Sequence, residues 1–186
     1  MKKFLLSFTL LLAGIYHAQV SIGGSSLSST AVSLEFGVSN STNGYRGIIL
    51  PWVTSETEVS NAVNGTLIFD LATLKVKVKK STGWFDLTVK NASDVIPGIT
   101  NQTVDSSIQN SLSDLPNAKV QIGGNPNTDT TPGILVLADT SKAMILPKMA
   151  SPHLNIKNPA AGMMAYDTNT NQLEVFNGTV WTFWKS

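Results

Sequence analysis

The residues that could catalyse a reaction are few and lie apart in the sequence. His153 follows Ser151-Pro152, which predicts the first turn of a helix, and no G-x-S-x-G nucleophile motif occurs. We therefore interpret His153 as a surface helix residue. Two carboxylates could hydrolyse glycosides, but nothing in the sequence marks any glutamate as buried or paired. The four glutamates are Glu35 and Glu174, on predicted strands, and Glu56 and Glu58, at a predicted helix start. The sequence thus predicts no catalytic residues and no enzyme.

Metal and cofactor sites are not predicted either. A zinc site needs several cysteine or histidine ligands, and the chain has no cysteine and two histidines, one of them (His17) in the leader. Asp167–Gln172 begins like a calcium loop, but Gln172 stands where glycine is expected and Gly178 where glutamate is expected. A polar turn is the better interpretation of this stretch.

Aromatic residues offer the one binding alternative. Trp52, Tyr45 and Trp184 could form a platform on which sugar rings stack, because extracellular β modules often bind glycans in this way. Trp84 and Trp181 instead occupy equivalent positions of a repeat, which favours shared core packing.

An internal duplication is the clearest feature of the chain. Val20–Gly24 matches Val120–Gly124, and Ile48–Pro51 matches Met144–Pro147. Further on, one offset of 97 residues relates Gly65, Asp70 and Trp84 to Gly162, Asp167 and Trp181. In each copy two short strands precede an I-L-P segment, a helical turn and a β-hairpin. The helical turns begin at Ser55, which has capping-box spacing to Glu58, and at Ser151; Asn158-Pro159 is expected to end the second.

The fold class predicted from these signals is mainly β: two related small modules with short helices, joined by a linker. The boundaries are a signal peptide at 1–18, module one at 19–88, a linker at 89–119 and module two at 120–186. Within the linker a narrow apolar stripe predicts a short amphipathic helix that needs a partner. The stripe consists of Val104, Ile108, Leu112 and Leu115.

Composition and leader indicate export. Lys2 and Lys3 precede the apolar run from Phe4 to Ile15, as in a secretory signal peptide, with cleavage expected between Ala18 and Gln19. Without these lysines the formal charge moves from +1 to −1, which gives no electrostatic reason to bind nucleic acid. No other apolar run predicts a membrane span. Each copy is small and lacks disulfides, so we expect stability to come from homo-oligomerisation.

The two copies resemble a repeat of secreted and surface proteins of flavobacteria and other Bacteroidetes. Copy two matches its V-x-I-G, L-P, N-P-A-A-G and Y-N-G-T-x-W elements at Val120–Gly123, Leu146-Pro147, Asn158–Gly162 and Phe176–Trp181. The second proline and the arginine of the family's L-P-P-R element are absent from both copies. The repeat is also similar to trimeric phage tail-fibre modules.

These observations predict an exported structural or adhesive protein of the cell surface or a secreted fibre. Its expected partner is itself, with a trimer implied by the tail-fibre resemblance, and surface glycans or other surface proteins are further candidate partners. The alternative is a carbohydrate-binding module.

Overall fold

A computed structural model describes residues 19–37, 39–42, 44–88, 104, 107, 111, 119–125 and 127–185. The predicted signal peptide, most of the linker, and Ile108, Leu112 and Leu115 of the apolar stripe lie outside these residues. The described chain is mainly β with one short α-helix and forms a β-solenoid of about seven turns.

Fourteen strands, one 3₁₀ helix and one α-helix make up the described elements. The 3₁₀ helix spans Glu56–Glu58, and the α-helix, α1, spans Pro152–Asn155. The strands of copy one are β1 (Val20–Ile22), β2 (Val32–Phe36), β3 (Ile48–Ile49), β4 (Trp52–Val53), β5 (Leu67–Asp70), β6 (Lys75–Lys80) and β7 (Gly83–Asp86). Those of copy two are β8 (Val120–Ile122), β9 (Leu135–Leu137), β10 (Ala143–Ile145), β11 (Lys148–Met149), β12 (Met163–Asp167), β13 (Gln172–Phe176) and β14 (Trp181–Trp184).

The predicted hairpin occurs in both copies, within sheets of the same order. Copy one contains β4-β5-β6-β7 and copy two contains β11-β12-β13-β14, each with a parallel first pair followed by antiparallel pairs. The hairpin turns are also alike: Asp70 Oδ1 accepts from the backbone N–H of Ala72, and Asp167 Oδ1 from that of Asn169, both at 2.8 Å. An aspartate at the strand end therefore stabilises the turn in each copy.

The prediction of two separate modules is wrong, because strand pairing crosses between the copies. β10 of copy two pairs in parallel with β2 of copy one. β3 of copy one pairs antiparallel with β12 of copy two, with Ile49 opposite Met163. Each copy thus completes a sheet of the other, and the sequence repeat divides a continuous fold.

The main hydrophobic core is also shared. Its buried members are Leu50, Phe69 and Val76 from copy one and Ala161, Met164 and Val175 from copy two. A second cluster, centred on Met149, Met163 and Phe176, lies within copy two, with Tyr45 of copy one packed against it. Burial of these apolar side chains stabilises the two copies together, since neither contributes a complete core.

Both helical turns form near their predicted serines, but they are short. Ser55 caps the 3₁₀ helix, its hydroxyl accepting from the N–H of Thr57 at 3.3 Å. Ser151 precedes α1 with a φ of 44° and makes no side-chain capping bond. α1 ends at Asn155, before the predicted stop at Asn158-Pro159. Within the described ranges, no helix has the length and apolar character that a membrane span requires.

Candidate functional site

A buried ion cluster lies on the hairpin of copy one. Lys77 Nζ lies 2.6 Å from Glu56 Oε2, 2.8 Å from Asp70 Oδ2 and 3.9 Å from Asp86 Oδ1. Lys75 Nζ contacts the other Asp86 oxygen at 2.9 Å. The Lys77 side chain is only 7% exposed and that of Asp70 is fully buried. Lys77 lies inside the fold because β6 is a central strand between β5 and β7 and because Glu56 lies over the ammonium group.

The cluster holds both of its buried members in their charged forms. Burial by itself raises the pKa of Asp70, but hydrogen bonds from Lys77 and the Ala72 N–H bring that pKa below 3.8. Burial likewise lowers the pKa of Lys77, and the hydrogen bonds to Asp70 and Glu56 raise it above 10.5. The lowered pKa of Asp70 and the raised pKa of Lys77 both agree with a salt bridge that persists at neutral pH.

Asp70→Asn is expected to lower the free energy of unfolding by about 1–3 kcal/mol at pH 7, because charge-assisted hydrogen bonds are lost. The folded pKa of Asp70 lies below its unfolded value, so its contribution is present above pH 3.8 and is lost as the pH falls through the folded pKa. Urea unfolding at several pH values should show the difference between variant and native chain shrinking below pH 3.8. A constant difference would contradict this assignment.

Copy two places a second polar cluster on the equivalent hairpin. His153 Nδ1 lies 3.0 Å from both carboxylate oxygens of Glu174, whose Oε2 also accepts from the His153 backbone N–H at 2.9 Å. Asp167 lies beside this pair, and ligand atoms of all three side chains lie within 4.8 Å of one another. Asp167 and Glu174 are fully buried, whereas the His153 side chain is 30% exposed.

Asp167 is held by donors from two directions. Thr170 Oγ1 donates to Oδ2 at 2.7 Å, and the backbone N–H of Ser151 donates to Oδ1 at 2.9 Å. Burial raises the pKa of Asp167, but these hydrogen bonds, together with that from the Asn169 N–H, bring it below 3.8. The carboxylate therefore fixes the start of α1 against the hairpin turn.

The sequence interpretation missed this cluster. His153 is not a simple surface residue, since its ring contacts buried Glu174, and Glu174 is buried and paired although nothing in the sequence marks it so. Glu35 is buried as well and accepts from the Ser28 N–H at 2.7 Å. The sequence contains one signal of this cluster. The offset of 97 residues that relates Asp70 to Asp167 also relates Lys77 to Glu174, so Glu174 occupies the repeat position of Lys77.

The aromatic residues proposed to bind glycans are partly used within the fold. Trp52 Nε1 donates to the Ala161 carbonyl at 2.9 Å, and Trp184 Nε1 donates to the Leu87 carbonyl. Each bond joins one copy to the other. Tyr45 packs against the second core cluster. Glycan binding by these residues stays a prediction.

Val104 is the member of the predicted oligomerisation stripe that the structure describes. It packs against the shared core, and its Cγ2 lies 3.1 Å from the position that a Cβ on Gly178 would occupy. The predicted helix was expected to pack either against a repeat or against another chain. Val104 packs against the core that the two repeats share. Oligomerisation through the remaining stripe residues stays a prediction.

Comparison with known protein families finds a similarity in copy two. A family model described as a phage tail like trimerisation region matches residues 122–186, about a third of the chain. No curated protein and no solved structure matches the chain significantly. The matched region and the β-solenoid together indicate a fibrous, self-assembling structural protein, and the match supports a homotrimer.

Proposed function

We propose that this chain is an exported, non-enzymatic structural protein that assembles as a homotrimer into a fibre or an adhesive surface structure. The match of residues 122–186 to a trimerisation region is the observation that carries the proposal. Export rests on the basic and apolar leader, and the fibrous form rests on the solenoid and the repeat.

The strand pair β8–β9 is the surface through which the subunits meet. In copy one the equivalent pair, β1–β2, gains a third strand from β10, whereas β8–β9 pairs in parallel with no further strand of the described residues. Two strands alone bury too little apolar surface to be stable in water. A second copy of the chain would supply the missing cover.

Exposed apolar side chains are concentrated on the same strand pair. Val120 is 58% exposed, Ile134 66% and Leu135 48%. Single exposed apolar residues are ordinary on a protein surface, but Val120 and Leu135 lie opposite each other in the register and so share one face of the pair. Ile134 adjoins them just before β9, and association would bury this apolar surface. In a threefold arrangement this surface of each subunit packs against a neighbouring subunit. In an isolated subunit the same surface would stay exposed to water.

Sedimentation equilibrium tests this proposal directly. The native chain is expected at three times the mass of one chain, and Ile134→Asp with Leu135→Asp is expected to dissociate it, because two carboxylates would be buried at the contact. Ile22→Asp is the matched control: Ile22 is 52% exposed on the equivalent strand pair of copy one, outside the matched region. The control should stay trimeric.

A native chain that sediments as a monomer over the accessible concentration range would overturn the trimer. If the variant with both Ile134→Asp and Leu135→Asp remained trimeric, the subunits would meet at a surface other than β8–β9. Circular dichroism of each variant shows whether a loss of mass reflects dissociation or unfolding.

A further inference from the structure

The two hairpins carry charged residues at the same two positions, and at one of these positions the sign of the charge is reversed. Asp70 of copy one corresponds to Asp167 of copy two, and Lys77 corresponds to Glu174. In copy one the ammonium group of Lys77 lies between the carboxylates of Asp70 and Glu56. In copy two the same strand position carries a carboxylate, so this position no longer supplies a cation.

Copy two therefore places two buried acidic side chains where the described residues supply no lysine or arginine. Asp167 and Glu174 are both fully buried, and neither forms an ion pair with a lysine or arginine anywhere in the described chain. Among the described residues, the ionisable side chains in contact with Glu174 are His153 and Asp167, so no ammonium group takes the place that Lys77 Nζ has in copy one. A cation bound between Asp167 and Glu174 would take the place of the ammonium group, and its attraction to them would be strong because little water screens a buried site.

We propose that His153, Asp167 and Glu174 bind a divalent transition-metal ion that takes the place of the Lys77 ammonium of copy one. Metal bonds to imidazole nitrogen and carboxylate oxygen are about 2.0–2.2 Å long, so ligands of one ion lie roughly 3–4 Å apart. The three ligand atoms lie within 4.8 Å of one another and need only a small closure to reach this spacing. The site stands independently of the proposed trimer.

The ligand chemistry selects the class of ion. One imidazole with two carboxylates suits Zn²⁺ or Mn²⁺, whereas Ca²⁺ prefers six to eight oxygen ligands. The partly exposed His153 ring gives access from solvent, so water molecules can complete the coordination. The donors to Asp167 and Glu174, which include Thr170 and Gln172, orient the two carboxylates as the outer partners of metal ligands do.

Calorimetric titration of the full chain, without a polyhistidine tag and after treatment with EDTA, tests the site. ZnCl₂ or MnCl₂ is expected to bind with one ion per chain and to raise the melting temperature, and CaCl₂ is expected to bind more weakly. His153→Gln and Glu174→Gln should each weaken binding by at least about tenfold. The visible absorption of bound Co²⁺ should also change in His153→Gln, which reports the loss of a nitrogen ligand.

Glu56→Gln is the matched control, since Glu56 lies in the corresponding cluster of copy one and should leave metal affinity unchanged. Circular dichroism establishes that each variant is folded, and the partly exposed His153 provides a test even if Glu174→Gln unfolds the chain. The absence of saturable binding, or binding that both variants leave unchanged, would overturn the site. Binding that is lost in His17→Gln but kept in His153→Gln would overturn it too.

Discussion

Phe69→Ala is expected to lower the free energy of unfolding by about 3–5 kcal/mol, the range for truncating a buried aromatic side chain. Phe69 is fully buried in the shared core, and its ring lies 6.0 Å from that of Trp52. Its side chain also closely approaches Gly162 of copy two, where an added Cβ would lie 3.0 Å from the Phe69 Cβ. The truncation therefore leaves a cavity between the copies that rigid backbone cannot fill. Urea unfolding followed by circular dichroism measures the change.

The same experiment distinguishes a shared core from two separate modules. Because residues of both copies surround Phe69, tryptophan fluorescence and circular dichroism should shift together in one transition. Phe85→Ala is the control: Phe85 is 40% exposed on β7, and its truncation should change the free energy by about 1 kcal/mol or less. Two transitions, one of them unchanged from the native chain, would contradict the shared core.

Lys77→Met is expected to lower the free energy of unfolding by about 3–5 kcal/mol, as found when one partner of a buried ion pair is removed. Methionine fills a similar volume but leaves the fully buried Asp70 carboxylate without its cation. Chemical denaturation at pH 7 measures this loss. At acid pH, where Asp70 becomes protonated, the loss should be smaller.

Lys79→Met, on the same strand, is the matched control for Lys77→Met. Lys79 Nζ lies 5.8 Å from the centroid of the Trp84 ring and in no ion pair of the described residues, so the expected change is about 0.5–1 kcal/mol. Asp70→Asn combined with Lys77→Met should cost less than the sum of the two single changes, because the double variant leaves no unpaired buried charge. Additive losses would show that the pair does not act as a unit.

Local structure was largely predictable from the sequence. The hairpins of both copies, the helical turns near Ser55 and Ser151, and the polar turn beginning at Asp167 follow from side-chain alternation and from the hydrogen-bonding habits of aspartate, serine and asparagine. These signals depend on residues close together in the chain, so a single sequence contains them. The duplication was readable for the same reason, as a match between landmarks.

Only the tertiary structure determines which residues pack over each face of a strand. Alternation in β6 shows that Lys77 points away from Val76, but only the fold brings Glu56 over that side and buries the ammonium group. Likewise, the sequence shows His153 and Glu174 as distant residues, and the packing of α1 against the hairpin makes them neighbours. The pairing of β3 with β12 and of β10 with β2 depends on contacts between residues far apart in the chain. Since such contacts form only where two surfaces fit, the repeat boundaries seen in the sequence did not become boundaries of the fold.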